Sequence, residues 1–159
     1  MMALIYGDLF MNVLYRVRPY EIIKGSSNSL YEKWVKVCMN SLKDWRLKIF
    51  KNNIQNIIRE FDDLEITNEE KPKVGLVGEI LVKFHPTANN DVVDLVEAEG
   101  AEAVMPGLTD FLLYSAFNSD FKYRYLSGTK KSQLLGKFAI NIMEFYRGHL
   151  RKALKNHCT

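Results

Sequence analysis

The chain has 159 residues, enough for one domain with a substantial core. Its apolar fraction of 47% and charged fraction of 26% are those of an ordinary globular protein, and the net charge of +3 is spread among acidic residues rather than massed. That balance argues against a nucleic-acid partner, and no apolar run approaches the roughly 20 residues needed to cross a bilayer.

Taken in order, three blocks emerge: a helical layer over 1–70, a β-α-β core over 71–118, and a connector with a long C-terminal helix over 119–159. In the first, Leu4, Ile5, Leu9, Val13, Leu14 and Val17 recur at helical spacing until Pro19 turns the chain. Residues 25–29 read as a loop. Ser29 with Glu32 three residues on forms a capping box for a helix bearing Leu30, Trp34, Val37 and Cys38. Helical spacing continues through Trp45, Ile49, Ile54, Ile57, Ile58 and Phe61, with Asn52-Asn53 a possible break. The acidic stretch 62–70 ends this block, and Glu69-Glu70-Lys71-Pro72 reads as a surface linker.

In the second block, residues 74–80 are rich in Val and Leu without strict alternation, as in a strand covered on both faces. A polar loop follows, and Asn90 is placed to cap a helix over 91–99 that Gly100 ends. Residues 101–105 are a second strand. Pro106-Gly107 then turns the chain and Thr109 caps a helix over 110–117. Strands joined through one helix cross over right-handed and run parallel, which brings the loops after both strands to the same edge. In the third block Phe121, Tyr123 and Tyr125 alternate with Lys122 and Arg124, so a short strand or extended connector is expected. Ser127 or Thr129 then opens a helix to about residue 156, with Leu134, Leu135, Phe138, Ile142, Phe145 and Tyr146 on one face. The expected fold is therefore α/β, a small parallel Rossmann-like β-α-β core with a helical N-terminal layer. A two-stranded sheet is small for a complete core, so the chain reads as a piece of a larger protein.

Open α/β sheets bind ligands at the carboxyl ends of their strands. The ligand-binding candidates accordingly cluster after strand one and at the start of the helix after strand two: Glu79, Lys83, His85, Thr87, Asn89 and Thr109. Glu79 and His85 can form a general acid/base pair, or can merely shape the loop. Asn89 and Asn90 suit capping. Gly75 and Gly78 do not make a dinucleotide fingerprint, because they lie within the strand rather than after it, and Asp91 and Asp94 would repel a phosphate at the helix start. No phosphate loop is present. His149 and His157 lie among Arg and Lys and read as a solvated face. Cys38 and Cys158 lack any ligand or disulfide spacing and suit a reducing, cytoplasmic setting.

Some segments are distinctive. Lys71-Pro72-Lys73-Val74-Gly75-Leu76-Val77-Gly78-Glu79-Ile80-Leu81-Val82-Lys83-Phe84-His85-Pro86-Thr87-Ala88-Asn89-Asn90, and Glu97-Ala98-Glu99-Gly100-Ala101-Glu102-Ala103-Val104-Met105-Pro106-Gly107-Leu108-Thr109-Asp110-Phe111, resemble stretches of the large 2-hydroxyacyl-CoA dehydratase activators, also called CoA-substrate-specific enzyme activases. Upstream, Leu14-Tyr15-Arg16-Val17-Arg18-Pro19-Tyr20-Glu21 and Leu30-Tyr31-Glu32-Lys33-Trp34, and downstream, Phe121-Lys122-Tyr123-Arg124-Tyr125-Leu126, look like the same proteins. The resemblance implies the dehydratase-related part of such a protein, a scaffold or CoA-thioester-facing module. It implies no cofactor in this piece, with ATP and an iron–sulfur cluster carried elsewhere in the parent system. The implied partners are the remainder of the parent, dehydratase components and acyl-CoA. A protein-interaction module without a small-molecule site is the alternative, and an independent acid/base enzyme using Glu79 and His85 is a weaker third reading.

Overall fold

A computed structural model describes residues 1–155 and shows a mostly helical chain with one small sheet. The helices are α1 (Met2–Val17), α2 (Ser26–Ser41), α3 (Leu47–Asp62), α4 (Ile80–Phe84), α5 (Val92–Ala98), α6 (Leu108–Tyr125) and α7 (Lys130–Leu154). The strands β1 (Lys73–Gly75) and β2 (Glu102–Val104) pair in parallel, with Val74 opposite Ala103. The α/β expectation and the parallel pairing hold.

Helix α1 is the hub. Its apolar residues come at spacings of three and four and also wrap beyond one stripe, so Ile5, Leu9, Phe10, Val13, Leu14 and Val17 are all buried. It touches α2, α3, β2, α6 and α7. The core runs from α1 into Phe50, Ile54, Ile57, Ile58 and Phe61 of α3, and the C-terminal half of α7 closes it with Leu150 and Ala153. Aromatic edges tie these layers: Phe50 lies 5.0 Å from Tyr6 and 5.9 Å from Tyr146.

Several expectations are corrected. The predicted strand over 74–80 ends at Gly75, because Glu79 starts α4 rather than ending a strand. That strand is not covered on both faces: β1 is exposed throughout and Val77 is 84% exposed. Asn52-Asn53 does not break α3, since the Asn53 amide donates to the Tyr6 hydroxyl at 3.1 Å inside the core. Helix α2 starts at Ser26, three residues before the expected cap at Ser29. The Glu21 carboxylate satisfies its free amides instead, accepting from Gly25 N at 2.6 Å and Ser27 N at 3.0 Å. Residues 121–125 are helical, and their alternation hides an i,i+4 contact between Phe121 and Tyr125, 5.0 Å apart. The first turn of α7 is capped by Thr129, whose hydroxyl accepts from Ser132 N at 3.3 Å.

Helices α6 and α7 form a hairpin closed by small residues. A Cβ on Gly136 would lie 2.8 Å from the Ala116 carbonyl oxygen, so only glycine allows this approach. The outer sides of the hairpin are uncovered. Tyr114, Phe117, Phe121 and Tyr125 project from α6, and Leu134, Leu135, Phe138 and Phe145 from α7, each more than half exposed. The expected apolar face of α7 is thus largely open, and burial on this helix goes to Gly136, Met143, Leu150 and Ala153. Among the described residues no helix is long and apolar enough to cross a membrane.

Candidate functional site

At the carboxyl edge of the sheet the chain leaves β1 with Leu76 N donating to Val104 O at 2.8 Å, then turns through Gly78 at φ 158°. Glu79 Oε2 accepts from Leu81 N at 3.0 Å and Val82 N at 3.3 Å. The carboxylate therefore caps α4, which accounts for its place in the sequence without any catalytic task. His85 and Thr87 are exposed on the 3-10 turn region that follows. No hydrogen bond or ion pair joins Glu79 to His85 among the described residues.

Asn89 is structural as well as accessible. Its amide donates to the Lys83 carbonyl at 3.2 Å and its oxygen accepts from Val92 N at 3.3 Å, so Asn89, not Asn90, fastens the start of α5. Asn90 and Asp91 take left-handed conformations (φ 56° and 51°), which Asn and Asp tolerate best among non-glycine residues. Lys83 and Asn89 line a cavity of about 260 Å³ with Arg18, Tyr31 and Asp94. Met105, just past β2, lines it too, so the loops after both strands do reach one edge. The Lys83 ammonium lies 4.4 Å from the Phe84 ring centroid.

Arg18, outside the candidates drawn from the sequence, organises this cavity. Its Nε donates to Glu97 Oε2 at 2.6 Å, and one Nη to Asp94 Oδ1 at 2.8 Å. Burial pushes the Glu97 carboxyl above its usual range, and the Arg18 hydrogen bonds pull it back only in part. The N-terminal layer is thereby clamped to α5.

Thr109 lies elsewhere, in the core. The buried Asp8 carboxylate of α1 accepts from Leu108 N at 2.8 Å and Thr109 N at 2.9 Å, and also from the Thr109 hydroxyl. It caps α6 from a hundred residues away. Gly107 leaves room for it, since a Cβ there would meet Asp8 Oδ2 at 2.7 Å. Thr109 is thus part of a structural junction, not of a ligand site with Lys83 and Asn89.

A larger cleft, about 810 Å³, opens at the opposite, amino edge of the sheet. Residues 65–67 fold back on the turn after α1: Ile22 N donates to Glu65 O at 3.1 Å and Thr67 N to Tyr20 O at 2.8 Å. This part of the acidic stretch, just before the expected linker, is in this way pinned as a strap over the cleft. Val17, Phe61 and Ile66 give it an apolar side, and Tyr20, Lys71, Lys73 and Glu102 a polar one. The Tyr20 hydroxyl donates to Glu102 Oε2 at 2.8 Å. Partial burial and that carboxylate hold the Tyr20 phenol above its ordinary value. The sequence signal for Asp8 and Glu102 was the same, a lone acid inside an otherwise apolar element.

Among the described residues no group of three or more His, Cys, Asp or Glu is placed to hold a metal. Cys38 is buried, and burial pushes its thiol up to about 12. His149 is half-buried against Phe145, 5.3 Å between ring centroids, rather than on a solvated face, and burial lowers its pKa. His157 and Cys158 lie outside the described residues. No family model, no curated protein and no solved structure matches the chain.

Proposed function

We propose that the chain is a scaffold module of a 2-hydroxyacyl-CoA dehydratase activator-like protein, serving an ATP-driven electron-transfer dehydratase system in the cytoplasm. Its partners are the rest of that protein and the dehydratase components. ATP and the iron–sulfur cluster belong to other parts of the system. In this reading the two strands are one side of a Rossmann-like lobe whose remaining cover comes from the parent.

The observation that supports the reading is uncovered apolar surface. A parallel sheet is normally buried on both faces, yet β1, Val77 and Leu81 are open, as are both flanks of the α6–α7 hairpin. Large exposed apolar areas mark interaction surfaces in soluble proteins. Glu79, one of the polar residues that suggested a site, is occupied in capping α4, and Thr109, another, in donating to the buried Asp8 carboxylate. The CoA-facing variant of the reading draws on Lys83, which has no ion pair among the described residues and borders the carboxyl-edge cavity. An ammonium there suits a phosphate better than the Asp91 and Asp94 side of the turn does.

Sedimentation velocity of the purified chain with purified dehydratase components tests the scaffold role. A complex that dissociates when Phe138 and Phe145 are changed to Ser is expected. Separate boundaries at all concentrations would overturn it. Amide shifts on titrating acyl-CoA esters, centred on Lys83 and Asn89, would instead favour the CoA-facing variant.

A further inference from the structure

The amino-edge cleft has a chemistry that neither the motif residues nor the scaffold role explains. Its buried acid, Glu102, has a side chain only 7% exposed. One carboxylate oxygen is satisfied by the Tyr20 phenol at 2.8 Å. The other, Oε1, faces Lys73 Nζ at 3.8 Å, beyond hydrogen-bond range, and the Lys73 side chain is 58% exposed. A carboxylate this deep is ordinarily matched by a close cation with good geometry. Here the resident ammonium stands off.

The surroundings favour a cation from outside. The Tyr20 ring takes positive charge on its face: the Lys71 ammonium stands 5.8 Å from its centroid, and a ligand ammonium there would take its place. Glu69 and Glu70 add negative charge at the rim. Val17, Phe61 and Ile66 supply an apolar wall alongside, and Ile66 remains 47% exposed although it lines the cleft. The volume lies within the range of small-molecule sites.

We propose that this cleft binds an organic cation with an aliphatic body, its ammonium between the Tyr20 ring and Glu102 Oε1 and its methylenes along Val17, Phe61 and Ile66. The ligand ammonium takes the position that Lys73 approaches but does not fill. The cleft is lined by four carboxylates, Asp62, Glu69, Glu70 and Glu102, against three cations, Arg16, Lys71 and Lys73, so its balance leans towards a cationic ligand over an anionic one of the same length. The proposal is independent of the scaffold reading, which concerns other surfaces.

The test is backbone-amide NMR of the full chain titrated with cadaverine, with glutarate as the anionic counterpart. Saturable shifts at Val17, Tyr20, Lys71, Lys73 and Glu102 are expected with cadaverine and none with glutarate. Glu102→Gln, which keeps an acceptor for Tyr20, is expected to weaken binding at least about tenfold, the scale of one lost charge-assisted hydrogen bond. Lys73→Ala, an exposed change that leaves the fold intact, is expected to tighten binding by removing the competing ammonium. That variant decides the matter should Glu102→Gln fail to fold. Equal shifts with glutarate, no saturation, undiminished binding by a folded Glu102→Gln, or unchanged or weaker binding by Lys73→Ala would each overturn the proposal.

Discussion

Replacing Asp8 by Ala removes the carboxylate that joins α1 to the start of α6. Three donors lose their partner: Leu108 N, Thr109 N and the Thr109 hydroxyl. Thr109 is 3% exposed, so water does not readily substitute. An ordinary N-cap loss costs about 0.5–2 kcal/mol, and hydrogen bonds to a charged acceptor contribute roughly 1.5–3 kcal/mol each before relaxation. Because the three donors share one carboxylate and the helix start can shift, about 3–5 kcal/mol is the expected loss for Asp8→Ala, and about 2 kcal/mol for Asp8→Asn, which keeps one acceptor. At about 2–4 °C per kcal/mol for a chain of this size, Asp8→Ala lowers the melting temperature by roughly 6–20 °C. Circular dichroism with urea and heat measures both. Gly107→Ala probes the same junction from the other side, since its Cβ would press on the Asp8 carboxylate. The double variant should therefore lose less than the sum of the two singles. A loss under about 1 kcal/mol for Asp8→Ala, or strict additivity with Gly107→Ala, refutes the reasoning.

Other expectations follow from single contacts. Gly136→Leu should separate α6 from α7, where a Cβ already meets the Ala116 carbonyl; loss of hydrogen-exchange protection over 108–125, with α1–α3 unchanged, is the readout. Arg18→Leu should strand the half-buried Glu97, whose carboxyl is already held above its usual range. A raised carboxyl pKa favours the folded state below its unfolded value near 4.3 and costs stability as pH rises through the folded pKa. The Arg18→Leu deficit should consequently grow with pH above about 4.5, and Glu97→Gln in that background should flatten it in urea titrations at several pH values. Glu21 has the opposite sign: burial raises its carboxyl, but hydrogen bonds from Ser27, Gly25 and Ser26 outweigh that and leave it lowered. Its contribution should be present above about 4.3 and lost as pH falls through its folded pKa, so Glu21→Gln should blunt acid unfolding. The Cys38 thiol, buried and pushed up to about 12, should react with a disulfide reagent near pH 8 only as fast as the fold opens, with peptide mapping locating the adduct.

Much of this fold was legible because its early elements obey local rules. The spacing of Ile5, Leu9 and Val13 on α1, the apolar stripe of α3 and the helix-ending Gly100 (φ 83°) each needed only a few neighbouring residues. The failures share a cause: a local pattern overruled by a partner far along the chain or by a competing local bond. Residues 76–80 have strand composition, but the Glu79 carboxylate and the turn at Gly78 favour a helix start. Phe121, Tyr123 and Tyr125 fit a period of two, but two of the three also fit a period of four, and the helix took them. The α7 stripe was correctly read as apolar, yet periodicity states which residues share a face and not whether anything covers it. For the site, the carboxyl-edge loops were placed correctly, but the duties of Glu79 and Thr109 depend on which backbone amides they or their partner Asp8 meet, and no spacing encodes Asp8 against Thr109.

The residues at the end of α1 connect these findings. Two parallel strands alone are too few to hold a sheet in place, so β1 and β2 take their position from what grips them. Arg18 grips α5, which immediately precedes β2, through Glu97 and Asp94. Tyr20, two residues on, grips the start of β2 through Glu102 and holds the 65–67 strap through its carbonyl. Pro19 lies between them in a 3-10 turn and fixes the backbone that aims one side chain toward the carboxyl-edge cavity and the other toward the amino-edge cleft. The Arg-Pro-Tyr segment is therefore a bracket for both edges of the sheet.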